Sequence, residues 1–578
     1  MPKLGTIYKS NKAVPLNVNS PYISSMKYLL LVFVLVLFEP VMAQRTSASQ
    51  KKESLVVQPP KLVVGIVVDQ MRYDYLSKFS SKFSNQGFKR LQAEGYSFDE
   101  NYINYVPSNT GPGHATIHTG TTPSQHGILN NSWYNKRSKS VYYCTYDKSV
   151  EAVGTGSKVD RNSPHRLLMP TLSDIHKEVV SAQGKTISVA LKDRAAVLSG
   201  GKKADAAYWF RGRGQGSWIS SSYYMERLPH WVKNFNESNL IDRYMQTWEP
   251  LYPIESYSES GPDLSSVEWG FKGRRKAIFP YDLKKLAKKN GEFDLLRVTP
   301  FGNSYTVDFA LAAVDKENLG TDSITDFLLI SFSSTDYIGH NFGVDSKEVQ
   351  DAFLRLDRDI GRLLNSLDIL VGSENYVMFL TSDHGAKRNP NYETQDHSKD
   401  MQFFKEASFK IDVKEFAFDR YRNAKIIQRM AGNMVYLNDE LIQNMNLNKA
   451  KVTASIKKYI KEYKRIGSVR THAELASMTF ETGVDLYLQN GFHPKYSGDI
   501  TYTLDPGVVI YAKKGSSHGS HFSPDSHVPL IFYGAGIKQG NTITKTNPTD
   551  IAPTLSVLLG LPTQPQWKGR ILDEVFEK

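Results

Sequence analysis

Leu62-Val63-Val64-Gly65-Ile66-Val67-Val68-Asp69 is an almost unbroken run of aliphatic residues that ends on a carboxylate. A strand with one wet face would alternate apolar and polar residues. This run does not, so it reads as a strand buried on both faces, as in a parallel sheet covered by helices on either side. Working outward, similar runs occur at residues 186–191, ending at Lys192, and at 327–332, followed by Asp336. Two more lie at 376–380, followed by Asp383-His384, and at 528–533. Helical periodicity fills the intervals, as at 349–367, and near the end Thr549-Asp550 is expected to cap an apolar helix over 551–559, closed by Gly560 and Pro562. The expected fold is α/β: a mostly parallel central sheet flanked by helices, with the strands carrying charged or ligand-type side chains at their C-terminal ends. Open α/β sheets bind ligands outside those ends.

Composition narrows what such a fold can be. The chain has 578 residues, 40% of them hydrophobic and 12% aromatic, too long for one ordinary domain and too apolar for a disordered protein. Lys and Arg number 71 against 59 acidic residues, a mild excess with no dense basic block, which argues against nucleic acid as a specific partner. The single cysteine, Cys144, excludes an intramolecular disulfide framework and any cysteine zinc knuckle, so a metal site must use His and Asp. At the N-terminus, Lys27 precedes an apolar run at 28–38, and Val41-Met42-Ala43 stands before Gln44. This is the layout of a secretory signal over residues 1–43, with Met26 an alternative start and an uncleaved anchor the alternative reading. The run is short for a bilayer span and no second long apolar run follows, so the mature chain is expected to be exported and free of the membrane. Export without disulfides fits a bacterial periplasm. A polar segment occupies 44–60 and the main folded unit 61–578. Within that unit, 200–320 is rich in Gly, Ser, Tyr and Trp and lacks clear periodicity, while 400–510 mixes a helix at 447–463 with short strands; both read as insertions capping the site. The sequence does not fix the oligomeric state; a monomer is favoured.

The strand ends carry the chemistry. Asp336-x-x-x-His340 would share one face of a helix beginning there and could chelate one ion. Asp383-His384 lies at another strand end, Asp69 adds a third carboxylate, and His518-Gly519 a third imidazole, with His521 and His527 close enough to leave that last position open. Three Asp and three His favour zinc over calcium or magnesium. Two zinc ions facing three carboxylates leave about one positive charge for an anionic nucleophile or substrate. Thr110, within Ser108-Asn109-Thr110-Gly111-Pro112-Gly113-His114, fits that need. A hydroxyl where a tight turn enters a helix meets free N–H groups and the positive dipole end. A simple N-cap is its bland alternative.

Taken together, Val67-Val68-Asp69, Asn109-Thr110-Gly111-Pro112-Gly113-His114, His126-Gly127-Ile128-Leu129-Asn130-Asn131, Lys192-Asp193-Arg194, Ser334-Thr335-Asp336 with His340, Thr381-Ser382-Asp383-His384-Gly385, His518-Gly519 and Asp550-Ile551-Ala552-Pro553-Thr554-Leu555 resemble the alkaline phosphatase superfamily. More closely, they resemble the secreted bacterial phosphatases of the phosphate-irrepressible type, which use a threonine nucleophile. The resemblance spans nearly all of the mature chain. It implies a phosphate monoesterase with two zinc ions, one held by Asp336, His340 and His518, the other by Asp69, Asp383, His384 and the nucleophile Thr110. It further implies that Asn131 donates to a phosphate oxygen and that Lys192 and Arg194 form the cationic pair marking the monoesterase branch. The magnesium site of other alkaline phosphatases has no matching motif, and Lys192 is expected to replace its charge. Sulfatases are excluded by the lack of their Cys/Ser-x-Pro-Ser/Ala-Arg signature. Nucleotide pyrophosphatase/phosphodiesterases share the threonine and the Asn131 match but lack the Lys192/Arg194 pair, and are the alternative. An exported binding protein without activity is a more distant one.

Overall fold

Residues 59–392, 402–510 and 514–576 are described by the computed structural model; the signal expected over residues 1–43 and nearly all of the polar segment lie outside the described residues. A ten-stranded sheet runs from edge to edge as Gly540–Thr542, Tyr96–Phe98, Leu530–Gly534, Tyr376–Thr381, Leu62–Val68, Asp326–Phe332, Thr186–Ala190, Ala206–Arg211, Ser217–Ser221 and Ala152–Val153. The five strands from Tyr376–Thr381 through Ala206–Arg211 are mutually parallel. Leu530–Gly534 closes against them antiparallel, as Ser217–Ser221 does on the other side. The sheet is therefore mostly parallel, as expected, although the run at 528–533 joins it in the opposite direction.

All seven residues of Leu62–Val68 are buried. Because successive side chains point to opposite faces, Leu62, Val64, Ile66 and Val68 join one core with Leu328, Ile330 and Leu380, beneath helices Phe301–Glu317 and Lys347–Leu370. Val63 and Val67 face the other, with Phe327, Phe379 and helix Ile551–Leu558. Gly65 is required here: a Cβ would stand 2.8 Å from Phe379 Cζ and 2.9 Å from Leu329 Cδ2.

Two expectations change, and the reading of 402–510 gains detail. Residues 206–221, inside the supposed insertion at 200–320, form two strands of the central sheet, and helix Phe301–Glu317 packs on its core. Tyr208, Trp209 and Phe210 are each 1% exposed; bulky aromatics replace the aliphatic run that marks the other strands, which hid them. The irregular crossing is confined to about 222–300. Residues 402–510 carry a separate four-stranded sheet, Ile427–Ala431, Met434–Leu437, Ile500–Leu504 and Ile466–Thr471. Helices Glu406–Tyr421 and Lys449–Glu462 share its core. Finally, Asp550 stands at the N-cap position of helix Ile551–Leu558 as expected but makes no side-chain cap bond; the capping interaction belongs to Asn547, which starts the preceding 3₁₀ turn, Pro548–Asp550, and whose N–H Asp550 accepts at 2.8 Å. Among the described residues no helix is long and apolar enough to cross a membrane.

Candidate active site

Four adjacent parallel strands deliver their C-terminal ends to one place. Asp69 follows Leu62–Val68, Lys192 follows Thr186–Ala190, Asp383 and His384 follow Tyr376–Thr381, and helix Ser334–Phe342 starts directly after Asp326–Phe332. On that helix Asp336 and His340 share a face. Thr110 is the first residue of the wholly buried helix Thr110–Thr119; Asn109 occupies the N-cap, so the Thr110 hydroxyl is not the cap. That hydroxyl lies 3.5 Å from His384 Nε2 and 3.5 Å from Lys192 Nζ.

Two overlapping donor groups result, Asp336 with His340 and His518, and Asp69 with Asp336 and His384. In the first, Asp336 Oδ1 stands 3.1 Å from His340 Nε2 and 3.7 Å from His518 Nε2, and the two Nε2 atoms are 3.2 Å apart. In the second, His384 Nε2 lies 3.5 Å from Asp69 Oδ1 and 3.6 Å from Asp383 Oδ2. Each imidazole gives its other nitrogen to a carbonyl: His340 Nδ1 to Ser516, His518 Nδ1 to Ser108, His384 Nδ1 to Gly385, all at 3.0 Å. A carbonyl accepts only from N–H, so in the neutral ring each Nε2 carries the lone pair that a metal ligand needs. Burial opposes the His340 imidazolium, but the neighbouring Asp336 outweighs it and raises that pKa. Four ligands about 2.0–2.1 Å from a tetrahedral ion stand roughly 3.3 Å from one another, which both groups approximate. Asp69 Oδ1 and Asp383 Oδ2 are buried with no hydrogen-bond partner. The residues therefore fit metal ions in both groups.

Electrostatics agree. Burial, then the neighbouring Asp383, pushes the Asp69 carboxyl up to about 7. Burial also opposes the Asp336 carboxylate, but His340 and Lys192 outweigh it and hold that group well below the usual carboxylate range. Burial and the neighbouring His384 and His340 keep His518 neutral by lowering its pKa. Three carboxylates forced together out of water create a demand for cations. The buried Lys192 ammonium meets part of it, with Nζ 2.6 Å from Asp69 Oδ2 and 2.5 Å from Asp336 Oδ2.

The other expected residues stand nearby. Asn131 Oδ1 accepts the Gly111 N–H at 2.7 Å, which fixes the amide beside Thr110 and leaves its NH₂ to donate elsewhere. Arg194 enters on helix Asp193–Gly200, and its guanidinium donates to the Tyr143 hydroxyl at 3.3 Å, which in turn donates to Asp193 at 2.6 Å. No hydrogen bond joins Arg194 to Thr110 or to the carboxylates among the described residues. Of the three candidate C-terminal histidines, His518 joins the cluster. His527 instead stacks between Tyr73 and Tyr102, at 4.3 and 4.4 Å, and donates to the Asp99 carbonyl. His521 packs on Phe522.

Sequence reasoning missed the supports. Gln70, at φ +66°, donates from Nε2 to Asp336 Oδ1 at 2.6 Å and accepts from the Ser516 hydroxyl at 2.9 Å, while its backbone N–H reaches Asp383 Oδ1 at 3.3 Å. It thus touches a ligand from each group. His114 bridges the Thr110 carbonyl and Ser331, each at 2.9 Å. Only Gln70's position directly after Asp69 offered a signal; Ser516 and Tyr143 offered none.

The sequence pattern of the Type I phosphodiesterase / nucleotide pyrophosphatase family matches residues 63–525. A protein of Myroides odoratus named calcium-transporting ATPase is 42% identical over 517 residues, 89% of this chain and 93% of its own. Alkaline phosphatase PhoV of Synechococcus elongatus is 37% identical, covering 92% of this chain and 97% of its own. Alkaline phosphatase PafA of Elizabethkingia meningoseptica is 39% identical over 94% of this chain and 98% of its own. A crystal structure of wild-type PafA superposes with a TM-score of 0.86 at 38% identity, over 90% of this chain and 99% of that one. The chain belongs to the Type I phosphodiesterase / nucleotide pyrophosphatase family and, within it, to the group of bacterial alkaline phosphatases that it matches almost from end to end.

Proposed function

We propose that the protein is an exported, zinc-dependent alkaline phosphatase that hydrolyses small phosphate monoesters through a phosphothreonine on Thr110. Asp336, His340 and His518 would hold one zinc ion, and Asp69, Asp383 and His384, with Thr110, a second. Bound zinc supplies Lewis acidity, which lowers the pKa of coordinated oxygen and offsets charge on phosphate and leaving oxygens. The chain's own residues do the rest. Thr110 Oγ gives its proton to solvent and attacks phosphorus in line; the ester P–O bond breaks, and the departing alkoxide takes a proton from water and leaves as the alcohol. Water then cleaves the phosphothreonine and restores the hydroxyl. The N-terminus of helix Thr110–Thr119 favours the anion, the Asn131 amide donates to one phosphate oxygen, and His114 anchors the Thr110 backbone.

The observation that carries the monoester reading is the Lys192 ammonium, buried at the junction of both donor groups 3.5 Å from Thr110 Oγ1, with Arg194 two residues on. A monoester dianion has three charged non-bridging oxygens; a diester has two and one charge less. A charge-assisted donor in a dry site is worth roughly 3 kcal/mol, about a hundredfold in rate. Lys192→Ala and Arg194→Ala should therefore each lower kcat/KM for a monoester about a hundredfold and for a diester far less. Equal losses on both substrates would move the phosphodiesterase reading ahead.

A further inference from the structure

Helix Ser334–Phe342 holds Lys192 twice. Asp336 Oδ2 accepts from its ammonium at 2.5 Å, and the ring of the next residue, Tyr337, has its centroid 5.0 Å from the same Nζ. A cation within about 6 Å of a ring centroid is attracted to the negative face of the π system, most strongly where water is excluded. Lys192 is 1% exposed, so this contact is dry. Arg297 in turn fixes Tyr337: its Nη1 donates to the phenol oxygen at 3.5 Å, and its Cζ stands 5.9 Å from the ring centroid. The same guanidinium donates to the Leu191 carbonyl at 2.5 Å and to the Phe210 carbonyl, at the ends of two adjacent strands. Leu191 directly precedes Lys192, so Arg297 ties down both the ring and the backbone that presents the lysine. We infer that Tyr337 is a positioning residue whose ring keeps the Lys192 ammonium at the phosphate site and so sets the preference for monoesters over diesters, with Arg297 locking the ring. This rests on the monoesterase reading above.

The site gives the ring a task that the carboxylates cannot perform. An ammonium has three donors, and those of Lys192 reach Asp69 Oδ2 at 2.6 Å, Asp336 Oδ2 at 2.5 Å and Thr110 Oγ1 at 3.5 Å. Both carboxylates also belong to the donor groups proposed to hold zinc, so a bound ion competes with Lys192 for them. A buried ammonium that shares its carboxylates in this way swings off the site unless another group binds it. A phenol ring face is not a zinc ligand, so it keeps its hold on Lys192 however the carboxylates are divided. Core filling does not account for Tyr337: it is only half-buried, whereas Asp336 and Ile338 on either side of it are buried.

The test uses the metal-loaded, full-length enzyme with an aryl phosphate monoester and its methyl diester, which share a leaving group, and reads the monoester-to-diester ratio of kcat/KM. Tyr337→Leu removes the ring and should lower that ratio about tenfold, the loss expected for a desolvated cation–π pair. Tyr337→Phe keeps the ring and should hold the ratio within about twofold of wild type. Tyr337→Phe with a fluorinated ring keeps the shape but withdraws charge from the ring face, so it should lower the ratio even if the leucine variant folds poorly. With Lys192→Ala already in place, Tyr337→Leu should change the ratio by no more than about twofold, because the two residues act as one unit. A ratio left unchanged by both Tyr337→Leu and fluorination, or a fall of the same size in the Lys192→Ala background, would overturn the inference and leave the monoesterase reading intact. Should Lys192→Ala alone lower both substrates equally, the monoesterase reading itself falls, and the inference with it.

Discussion

Gln70 is a side chain in a backbone conformation that non-glycine residues seldom adopt, placed directly after a candidate ligand and touching another in each donor group. Its amide gives Asp336 Oδ1 a fixed direction, and partners of this kind typically change metal affinity 10–100-fold. Gln70→Asn tolerates the positive φ but is one methylene too short to reach Asp336. We expect zinc affinity to fall about tenfold at the group containing Asp336, read by competition against a chromogenic chelator; unchanged affinity would show that Asp336 needs no such support. The ligand-type residues were legible in the sequence because Asp and His at strand ends are chemically conspicuous and their spacing is local. Gln70, Ser516 and Tyr143 were not, because an amide or hydroxyl becomes a support only through contacts distant in the chain, 266 and 446 residues apart for Gln70 and 50 for Tyr143 with Asp193.

At the scale of elements, helix Thr110–Thr119 locks against the turn that carries Asp383. A Cβ at Gly113 would lie 2.6 Å from both Asp383 Cβ and the Asp383 carbonyl oxygen, and backbone cannot swing aside as a side-chain tip can. Gly113→Ala should destabilise the protein by about 1–3 kcal/mol, the usual cost of overpacking, and displace Asp383. A lowered apparent Tm together with less than full metal content would be the outcome; native metal content and activity would contradict the packing. The elements with aliphatic runs were readable from periodicity, as Leu62–Val68 and Tyr376–Thr381 illustrate. Ala206–Arg211 and Ser217–Ser221 were not: aromatics, Ser and Gly blur the pattern, and membership of the central sheet depends on partners rather than on the segment itself.

Across the whole molecule, the site ties together strands, helices and loops from residue 69 to residue 518, so metal binding and global stability are linked. An ion binding only the folded state at a thousandfold its Kd adds about 4 kcal/mol. Removing it also leaves Asp69, Asp336 and Asp383 to repel one another with Lys192 alone between them. Chelation should lower the apparent Tm and abolish turnover, and zinc should restore both. Chelated, verified metal-free protein with full activity would contradict the assignment of these residues as ligands. The central claim, that Thr110 carries the phosphoryl group during turnover, is tested most directly by acid-quenching the enzyme with a phosphate monoester and locating phosphate by peptide mass spectrometry. Phosphate on Thr110 in the wild type, and no phosphopeptide from Thr110→Ala that still binds zinc, is the expected result. A phosphorylated Thr110→Ala enzyme, or phosphate on another residue of the wild type, would contradict it.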